Sequence, residues 1–122
     1  KQFRLPIKII NLNNRYLGMV RQWQQMFHGN RYSESYMDAL PNFVALAESF
    51  GIKGLQAATV TELDATIEKM IKHDGPVVCE ILVDDKENVY PMIPAGAGHN
   101  EVILSPEDDA PDLDSEEARN AV

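Results

Sequence analysis

The segment PVVCEILVD (Pro76 to Asp84) constrains the fold more than any other part of the sequence, because its apolar residues are nearly continuous. A strand of this composition suits burial on both faces, as in a parallel sheet that helices cover on both sides. Two earlier apolar runs, LPIKIINL (Leu5 to Leu12) and IKGLQAA (Ile52 to Ala58), are also predicted to be strands. The first is expected to be buried and to end in a turn, with Lys8 facing outward or lying near a rim.

Helical patterns separate these three strands. GMVRQWQQMF (18–27) has apolar residues at helical spacing, although a glycine lies at its start. PNFVALAESFG (41–51) begins with a proline suited to a first helical turn and ends with a glycine suited to the position beyond a helix. Thr59 and Glu62 have capping-box spacing ahead of LDATIEKMIKHDG, which predicts a third helix.

The order of these elements is strand, two helices, strand, helix, strand. It predicts an α/β fold, in which a parallel sheet has flanking helices and right-handed crossovers. Ligands of such sheets bind at the carboxyl ends of the strands. The turn at Asn13 and Asn14 follows one of those ends, so this turn is the first place to look for a binding site.

Charge and cysteine content exclude several classes of protein. The net charge is -8, and residues 107–122 contribute -6 of it through seven acids and one arginine. Residues 105–122 are therefore predicted to be an acidic, disordered tail, and without a basic stripe we expect no nucleic-acid partner. No apolar run approaches the length of a membrane span, so we expect no membrane partner. The single cysteine, Cys79, excludes an internal disulfide and favours a reducing compartment.

The residues alone indicate little chemistry. The three histidines lack neighbours at metal-ligand spacing, and Cys79 lies in a predicted buried strand, where it is expected to act as a small apolar residue. The Asn13–Asn14 pair has two interpretations, as hard oxygen donors for Mg²⁺ or as ordinary turn formers. The segment VYPMIPAGAG also has two, as a surface loop or as an ordered flap over a ligand.

Longer strings resemble one family. The segment LPIKIINLNNRYLGMVRQWQQMFHGNRYSES resembles the end of the thiamine-diphosphate motif of acetolactate synthases. The strings LPNFVALAESFGIKG, DGPVVCEILVD and VYPMIPAGAG are similar to the same family, in the same order. The resemblance covers about residues 1–104 and implies the C-terminal portion of a thiamine-diphosphate-binding domain. GMVRQWQQ and YPMIPAGAG favour acetolactate synthases over related oxidases and decarboxylases.

The resemblance implies a set of site residues. Asn14 would bind Mg²⁺ through its side chain and Tyr16 through its backbone carbonyl, which would link the protein to the cofactor diphosphate. Residues implied to line the cofactor are Leu17, Gly18, Met19 and Val20. Trp23 and Ala95 would line the substrate and inhibitor channel. FAD is implied as a further cofactor, held mostly by regions outside this chain.

The implied reaction is the decarboxylation of pyruvate and the condensation of its hydroxyethyl unit with pyruvate or 2-oxobutyrate, in branched-chain amino acid biosynthesis. The family's Gly-Asp motif start and its activating glutamate are missing, so no catalytic residue is expected in this chain and the chain alone is expected to be inactive. The implied assembly is a homodimer or higher oligomer in the cytoplasm, with a possible regulatory small subunit. The alternatives are another thiamine-diphosphate carboligase or oxidase, or a non-enzymatic interaction module.

Overall fold

The computed structural model describes residues 2–3 and 5–106. Its elements follow the predicted order and are β1 (Lys8–Asn13), α1 (Gly18–Phe27), α2 (Phe43–Ser49), β2 (Lys53–Ala57), α3 (Val60–Lys72) and β3 (Val77–Leu82). The strands form one sheet in the order β1-β3-β2, and both pairings are parallel. This confirms the predicted α/β class. The acidic segment 107–122 lies outside the described residues.

The described chain divides into two compact units. One contains the sheet, α2 and α3, and comprises the described residues up to Tyr16 together with Tyr36–Lys86. The other contains α1 and comprises Leu17–Ser35 and the described residues from Glu87 onward. Within the described ranges, no helix has the length and apolar content needed to cross a membrane.

Strand β3 forms the centre of the sheet, as its apolar sequence predicted. Val77 and Cys79 are completely buried and pack with Met70 of α3. Burial also raises the pKa of the Cys79 thiol, which keeps it protonated and confirms its role as a small apolar core residue. The opposite face of the sheet approaches α2 so closely that a Cβ at Gly54 would lie 2.7 Å from the Val44 carbonyl oxygen. Helices therefore pack on both faces of the sheet.

The prediction that β1 is buried is wrong for the described chain. Its side chains are largely exposed, with Leu12 at 63% and Ile9 at 52%. The reason is that, among the described residues, α2 and α3 pack mainly on β2 and β3 and leave the faces of β1 largely uncovered. Lys8 does not simply face outward, because its Nζ donates hydrogen bonds of 2.6 Å to the carbonyls of His73 and Gly75. The ammonium thus stabilises carbonyl groups just beyond the C-terminus of α3.

The predicted capping box forms at the start of α3. The Glu62 carboxylate accepts hydrogen bonds from the backbone N–H groups of Ala58, at 2.9 Å, and Thr59, at 3.0 Å. The Ala58 bond first, and then the Thr59 side chain and backbone, lower the pKa of Glu62 below its ordinary value of 4.5. These hydrogen bonds favour the charged carboxylate and so favour the folded helix terminus.

A lowered pKa in the folded state makes stability depend on pH in one direction. The contribution of Glu62 is fully present above pH 4.5 and is lost as the pH falls through the folded-state pKa. We therefore expect Glu62→Gln to lower the thermal midpoint at neutral pH. The difference in thermal midpoint between the variant and the unaltered protein should shrink as the pH falls toward about 3. Thermal unfolding of both proteins across this range checks the prediction. A difference that stays constant with pH would contradict it.

Candidate functional site

The turn after β1 is built from the Asn13–Asn14 pair. Asn13 Oδ1 accepts a hydrogen bond from the Arg15 N–H at 2.9 Å, and Asn14 Oδ1 accepts one from the Tyr16 N–H at 3.0 Å. Arg15 between them has a positive φ of 61°, which few non-glycine residues adopt. Both asparagines thus form turns with the backbone two residues on. An amide oxygen has two lone pairs, so this turn role leaves Asn14 Oδ1 the capacity to bind a cation.

The backbone of Tyr16 is held by a bridge to Tyr36. Tyr16 forms an antiparallel bridge with Tyr36, and the bridge includes a bond of 2.8 Å from the Met37 N–H to the Arg15 carbonyl. In this pattern, the neighbours of the paired residue make the inter-segment bonds, and its own N–H and C=O point away from the partner segment. The Tyr16 N–H reaches Asn14 Oδ1. By the same pattern, its C=O also points away from Tyr36.

Aromatic contacts hold the bridge in place. The Tyr16 and Tyr36 rings meet edge to face, with centroids 5.0 Å apart. The Arg15 guanidinium lies 5.5 Å from the centroid of the Tyr36 ring. Ring pairs and cation–π contacts of this kind each stabilise a surface segment by about 0.5–1.5 kcal/mol. The left-handed turn is therefore supported on its far side by the segment around Tyr36.

Sequence reasoning missed Glu80, which the structure connects to this turn. Its side chain is only 6% exposed, although it belongs to the nearly continuous apolar run of β3. Glu80 Oε1 accepts a hydrogen bond of 2.6 Å from Asn13 Nδ2. The available signal was an acidic residue in the middle of a strand that is otherwise apolar, because an acid is rarely buried without polar partners.

The other predicted cofactor residues surround the start of α1. Leu17 precedes this helix, and Leu17, Met19 and Val20 are each about half exposed, at 47%, 50% and 46%. Gly18 is the first helical residue. The buried residues of α1 are instead Arg21 and Gln22. This stretch therefore presents apolar side chains at its surface, as a wall for an apolar ligand requires.

A groove of about 480 Å³ brings together three of the predicted residues. Its lining residues are Met19, Val20, Trp23, Gln24, His28 and Arg31. The Trp23 indole meets Phe27 edge to face at 5.0 Å. Leu17 and Gly18 are not among the lining residues, and neither is Ala95, which is exposed and lies in a turn. The roles of all these residues remain predictions.

The segment containing Ala95 is an ordered loop. Met92 and Ile103 close it with two backbone hydrogen bonds of 2.9 and 2.8 Å. Gln22, which is 1% exposed, attaches the segment to α1. Its Oε1 accepts from the Val89 N–H at 2.8 Å, while its Nε2 donates to the Val89 carbonyl at 3.0 Å and to Met92 Sδ at 3.1 Å. The buried amide of Gln22 thus hydrogen bonds both the N–H and the C=O of Val89. These bonds favour an ordered segment over a loose surface loop.

Metal-binding capacity at the Asn14 turn is partial. Within the described ranges, no group of three or more histidine, cysteine, aspartate or glutamate side chains could hold a metal ion. The turn offers two neutral oxygens, which suit a hard cation such as Mg²⁺ but leave its charge uncompensated. Such a pair fits a metal that also binds an anionic ligand. These oxygens would hold Mg²⁺ only together with an anionic ligand that balances its charge.

Comparisons with known proteins identify the family of this chain. Residues 1–81 match the family model of the thiamine pyrophosphate enzyme C-terminal TPP binding domain. The acetolactate synthase isozyme 3 large subunit of Escherichia coli (strain K12) is 44% identical over 107 residues, covering 85% of this chain and 19% of that protein. The acetolactate synthase large subunit of Porphyra purpurea is 45% identical over 103 residues, covering 84% of this chain and 18% of that protein.

The chain thus spans about a fifth of the length of the curated relatives that it matches. Among solved structures, the thiamine diphosphate-dependent 4-hydroxybenzoylformate decarboxylase of Rhodococcus jostii RHA1 is similar, with a TM-score of 0.63 and 25% identity. That similarity covers 71% of this chain and 16% of the decarboxylase chain. The chain belongs to the thiamine pyrophosphate enzymes, whose C-terminal cofactor-binding domain it matches, and it is similar to the large subunits of acetolactate synthases.

Proposed function

We propose that this chain is the C-terminal, cofactor-binding part of an acetolactate synthase large subunit. The observation that carries the proposal is the extent of the similarity. The acetolactate synthase relatives match 84–85% of the chain, whereas the general family match ends at residue 81. The similarity therefore continues into the segment after β3, which includes the Gln22-bound loop. This continuation favours acetolactate synthase over other thiamine-diphosphate enzymes.

In this proposal Asn14 Oδ1 and the Tyr16 carbonyl hold Mg²⁺ against the diphosphate of thiamine diphosphate. The support is that Asn14 Oδ1 lies in the turn at the carboxyl end of β1, and that the Tyr16 carbonyl next to it points away from the bridge partner Tyr36. Mg²⁺ prefers six oxygen ligands, and the diphosphate supplies both oxygens and negative charge. The Gly-Asp start of the family's motif, which is absent from this chain, would add a carboxylate. When bound, thiamine diphosphate supplies the electron sink for decarboxylating a 2-keto acid.

The half-exposed apolar residues at the start of α1 would contact the organic part of the cofactor. Leu17, Met19 and Val20 present their side chains at the surface, and Gly18 lacks a side chain and so permits close backbone approach. Burying such residues against a ligand yields about 25 cal/mol per Å² of apolar surface removed from water. These residues would orient the cofactor and exclude water from it.

The groove beside Trp23 would admit the substrate. Pyruvate is the proposed donor, and pyruvate or 2-oxobutyrate the proposed acceptor. Trp23 supplies an apolar wall to the groove, and a larger wall residue restricts the size of the acceptor. Ala95 is proposed to line the same channel in the complete enzyme. This role rests on the resemblance of YPMIPAGAG alone, because the exposed Ala95 is not among the residues that line the groove.

Further parts of the proposal rest on the family resemblance. We propose FAD as an additional cofactor, held mostly outside this chain, and a homodimer or higher oligomer located in the cytoplasm. The matched relatives are described as large subunits, which supports a regulatory small subunit as a partner. The missing activating glutamate would come from another part of the enzyme. This chain alone is therefore expected to be inactive.

Product analysis of the full-length protein with pyruvate, thiamine diphosphate, Mg²⁺ and FAD tests the proposal. Acetolactate is expected as the main product, and adding 2-oxobutyrate is expected to give acetohydroxybutyrate as well. Acetaldehyde or acetyl phosphate as the main product would indicate a decarboxylase or oxidase instead. No turnover of any 2-keto acid would favour an interaction module. The 122-residue chain assayed alone is the control and is expected to give no product above background.

A further inference from the structure

Glu80 is a buried carboxylate whose two oxygens are both bound by side-chain amides. Oε1 accepts from Asn13 Nδ2, and Oε2 accepts from Gln56 Nε2, each at 2.6 Å. The three residues belong to β1, β3 and β2, so the network crosses the whole sheet. The sheet register accounts for these contacts. Glu80 lies directly opposite Gln56 on β2 and opposite Asn11 on β1, and Asn13 follows Asn11 by two residues. These side chains therefore share one face of the sheet.

The network is unusual because neutral groups hold the charge. Among the described residues, the ion pair between Lys72 and Glu68 lies within α3 and does not involve Glu80. Burying a carboxylate is unfavourable unless it is well hydrogen bonded, and bonds from amides to a charged acceptor are stronger than neutral ones. An apolar residue would serve the core of β3 at lower cost. The acid therefore has a purpose other than packing.

Glu80 fixes the Asn13 side chain, whose NH₂ group and oxygen are both hydrogen bonded. Its Nδ2 donates to Glu80, and its Oδ1 accepts from the Arg15 N–H at 2.9 Å. An amide with both groups engaged keeps one rotamer, and this rotamer holds Arg15 at its positive φ of 61°. The backbone of Asn14 lies between these two fixed points. The direction of the Asn14 amide oxygen therefore depends on the bond between Asn13 and Glu80.

We propose that Glu80 is a positioning residue for the metal-binding turn. By fixing the Asn13 amide, it would hold Asn14 Oδ1 and the Tyr16 carbonyl in the arrangement that binds Mg²⁺. This inference rests on the proposed role of Asn14 as a Mg²⁺ ligand. Outer partners that orient metal ligands commonly contribute 10–100-fold to metal affinity. Gln56 would in turn orient Glu80 from the far side.

Mg²⁺ titration of the full-length protein by calorimetry, at saturating thiamine diphosphate, tests the proposal. We expect Glu80→Met to raise the Kd for Mg²⁺ about tenfold, because methionine leaves Asn13 Nδ2 without its acceptor. Gln56→Met is the matched control, since it removes a bond of the same length to the same carboxylate but not the one to the turn. Its Kd is expected to stay within about twofold.

Exchanging the amide and the carboxylate between positions 13 and 80 distinguishes a positioning role of Glu80 from general damage to the fold. In the double variant Glu80→Gln with Asn13→Asp, the donor and acceptor of the 2.6 Å bond trade places, and every hydrogen bond of the network can form again. We expect Mg²⁺ affinity to recover to within about threefold of the unaltered protein. Asn13→Asp alone places two carboxylates together and is expected to weaken binding. Tighter binding in this single variant would show that charge explains the recovery, and would overturn the proposal.

Two further outcomes distinguish the proposals from each other. If Asn14→Ala binds Mg²⁺ normally, the metal role of the turn is refuted. If Asn14→Ala loses affinity while Glu80→Met binds normally, only the positioning role of Glu80 is refuted. Equal losses in Glu80→Met and Gln56→Met, in step with their thermal midpoints, would also overturn it, because they would reflect stability alone.

Discussion

Replacing Asn14 with alanine is expected to weaken Mg²⁺ binding at saturating thiamine diphosphate by about 100-fold in the full-length protein. Loss of a residue that only orients a metal ligand lowers metal affinity by about 10–100-fold. Asn14→Ala removes a proposed ligand itself, so its effect should be at least as large. It also removes the acceptor of the Tyr16 N–H, and with it about 1 kcal/mol of local stability. Acetolactate formation should fall in parallel at limiting Mg²⁺ and recover partly when Mg²⁺ is raised. Calorimetry and product assays measure the two effects.

Two variants serve as controls for Asn14→Ala. Asn14→Asp keeps an oxygen for both the metal and the Tyr16 N–H, and should retain affinity within about tenfold. Asn42→Ala removes a similar interaction elsewhere, because Asn42 Oδ1 caps α2 through the Ala45 N–H at 2.8 Å. It should cost about 1 kcal/mol of stability and leave Mg²⁺ binding unchanged. Normal Mg²⁺ binding by Asn14→Ala would contradict the assignment.

Replacing Gln22 with leucine is expected to destabilise the loop that follows β3 by about 1–3 kcal/mol. Leucine removes three hydrogen bonds and leaves the N–H and C=O of Val89 without the amide that binds them. Val89 is exposed, so water replaces part of what is lost, and each bond is worth about 0.5–1.5 kcal/mol. The expected result is faster hydrogen exchange across residues 88–93, with little change in β3. Hydrogen–deuterium exchange with mass spectrometry measures this directly.

Gln25→Leu is the matched control, since it makes the same substitution on the same helix. Gln25 Oε1 is buried, and no described group donates a hydrogen bond to it. Replacing such an amide with an apolar side chain is expected to be neutral or stabilising. Slow exchange at residues 88–93 in Gln22→Leu, or equally fast exchange in both variants, would argue against the role assigned to Gln22.

The fold was predictable because its signals are local. The apolar run of β3, the capping box at Thr59 and Glu62, and the glycine after α2 each act within a few residues along the chain. Their order was sufficient to predict a parallel sheet. The burial of β1 was mispredicted, because exposure depends on which helices cover the faces of a strand, and α2 and α3 pack mainly on β2 and β3. Helix packing is a long-range property that an apolar run alone does not reveal.

The candidate site was only partly predictable. Asn14 and Tyr16 are adjacent to the end of a predicted strand, and the resemblance to acetolactate synthases was what distinguished a metal ligand from an ordinary turn. For Glu80 the signal was an acid within an apolar strand, which marks the residue but not its partner, and Gln22 had no signal. Each acts on a residue that lies 67 positions away in the sequence, Asn13 and Val89 respectively. No pattern within one element could connect them.

The sequence by itself determined the parallel α/β class, the turn at the end of β1 and the family to which the chain belongs. Periodicity, capping and turn chemistry are short-range effects, and the strings around the Asn13–Asn14 pair are distinctive. Only the tertiary structure decided how the turn is held. The sheet register brings the Glu80 carboxylate to the Asn13 amide, and the bridge to Tyr36 holds the backbone of Tyr16. Hydrogen bonds are short and directional, so only the folded chain can show which distant groups satisfy one another.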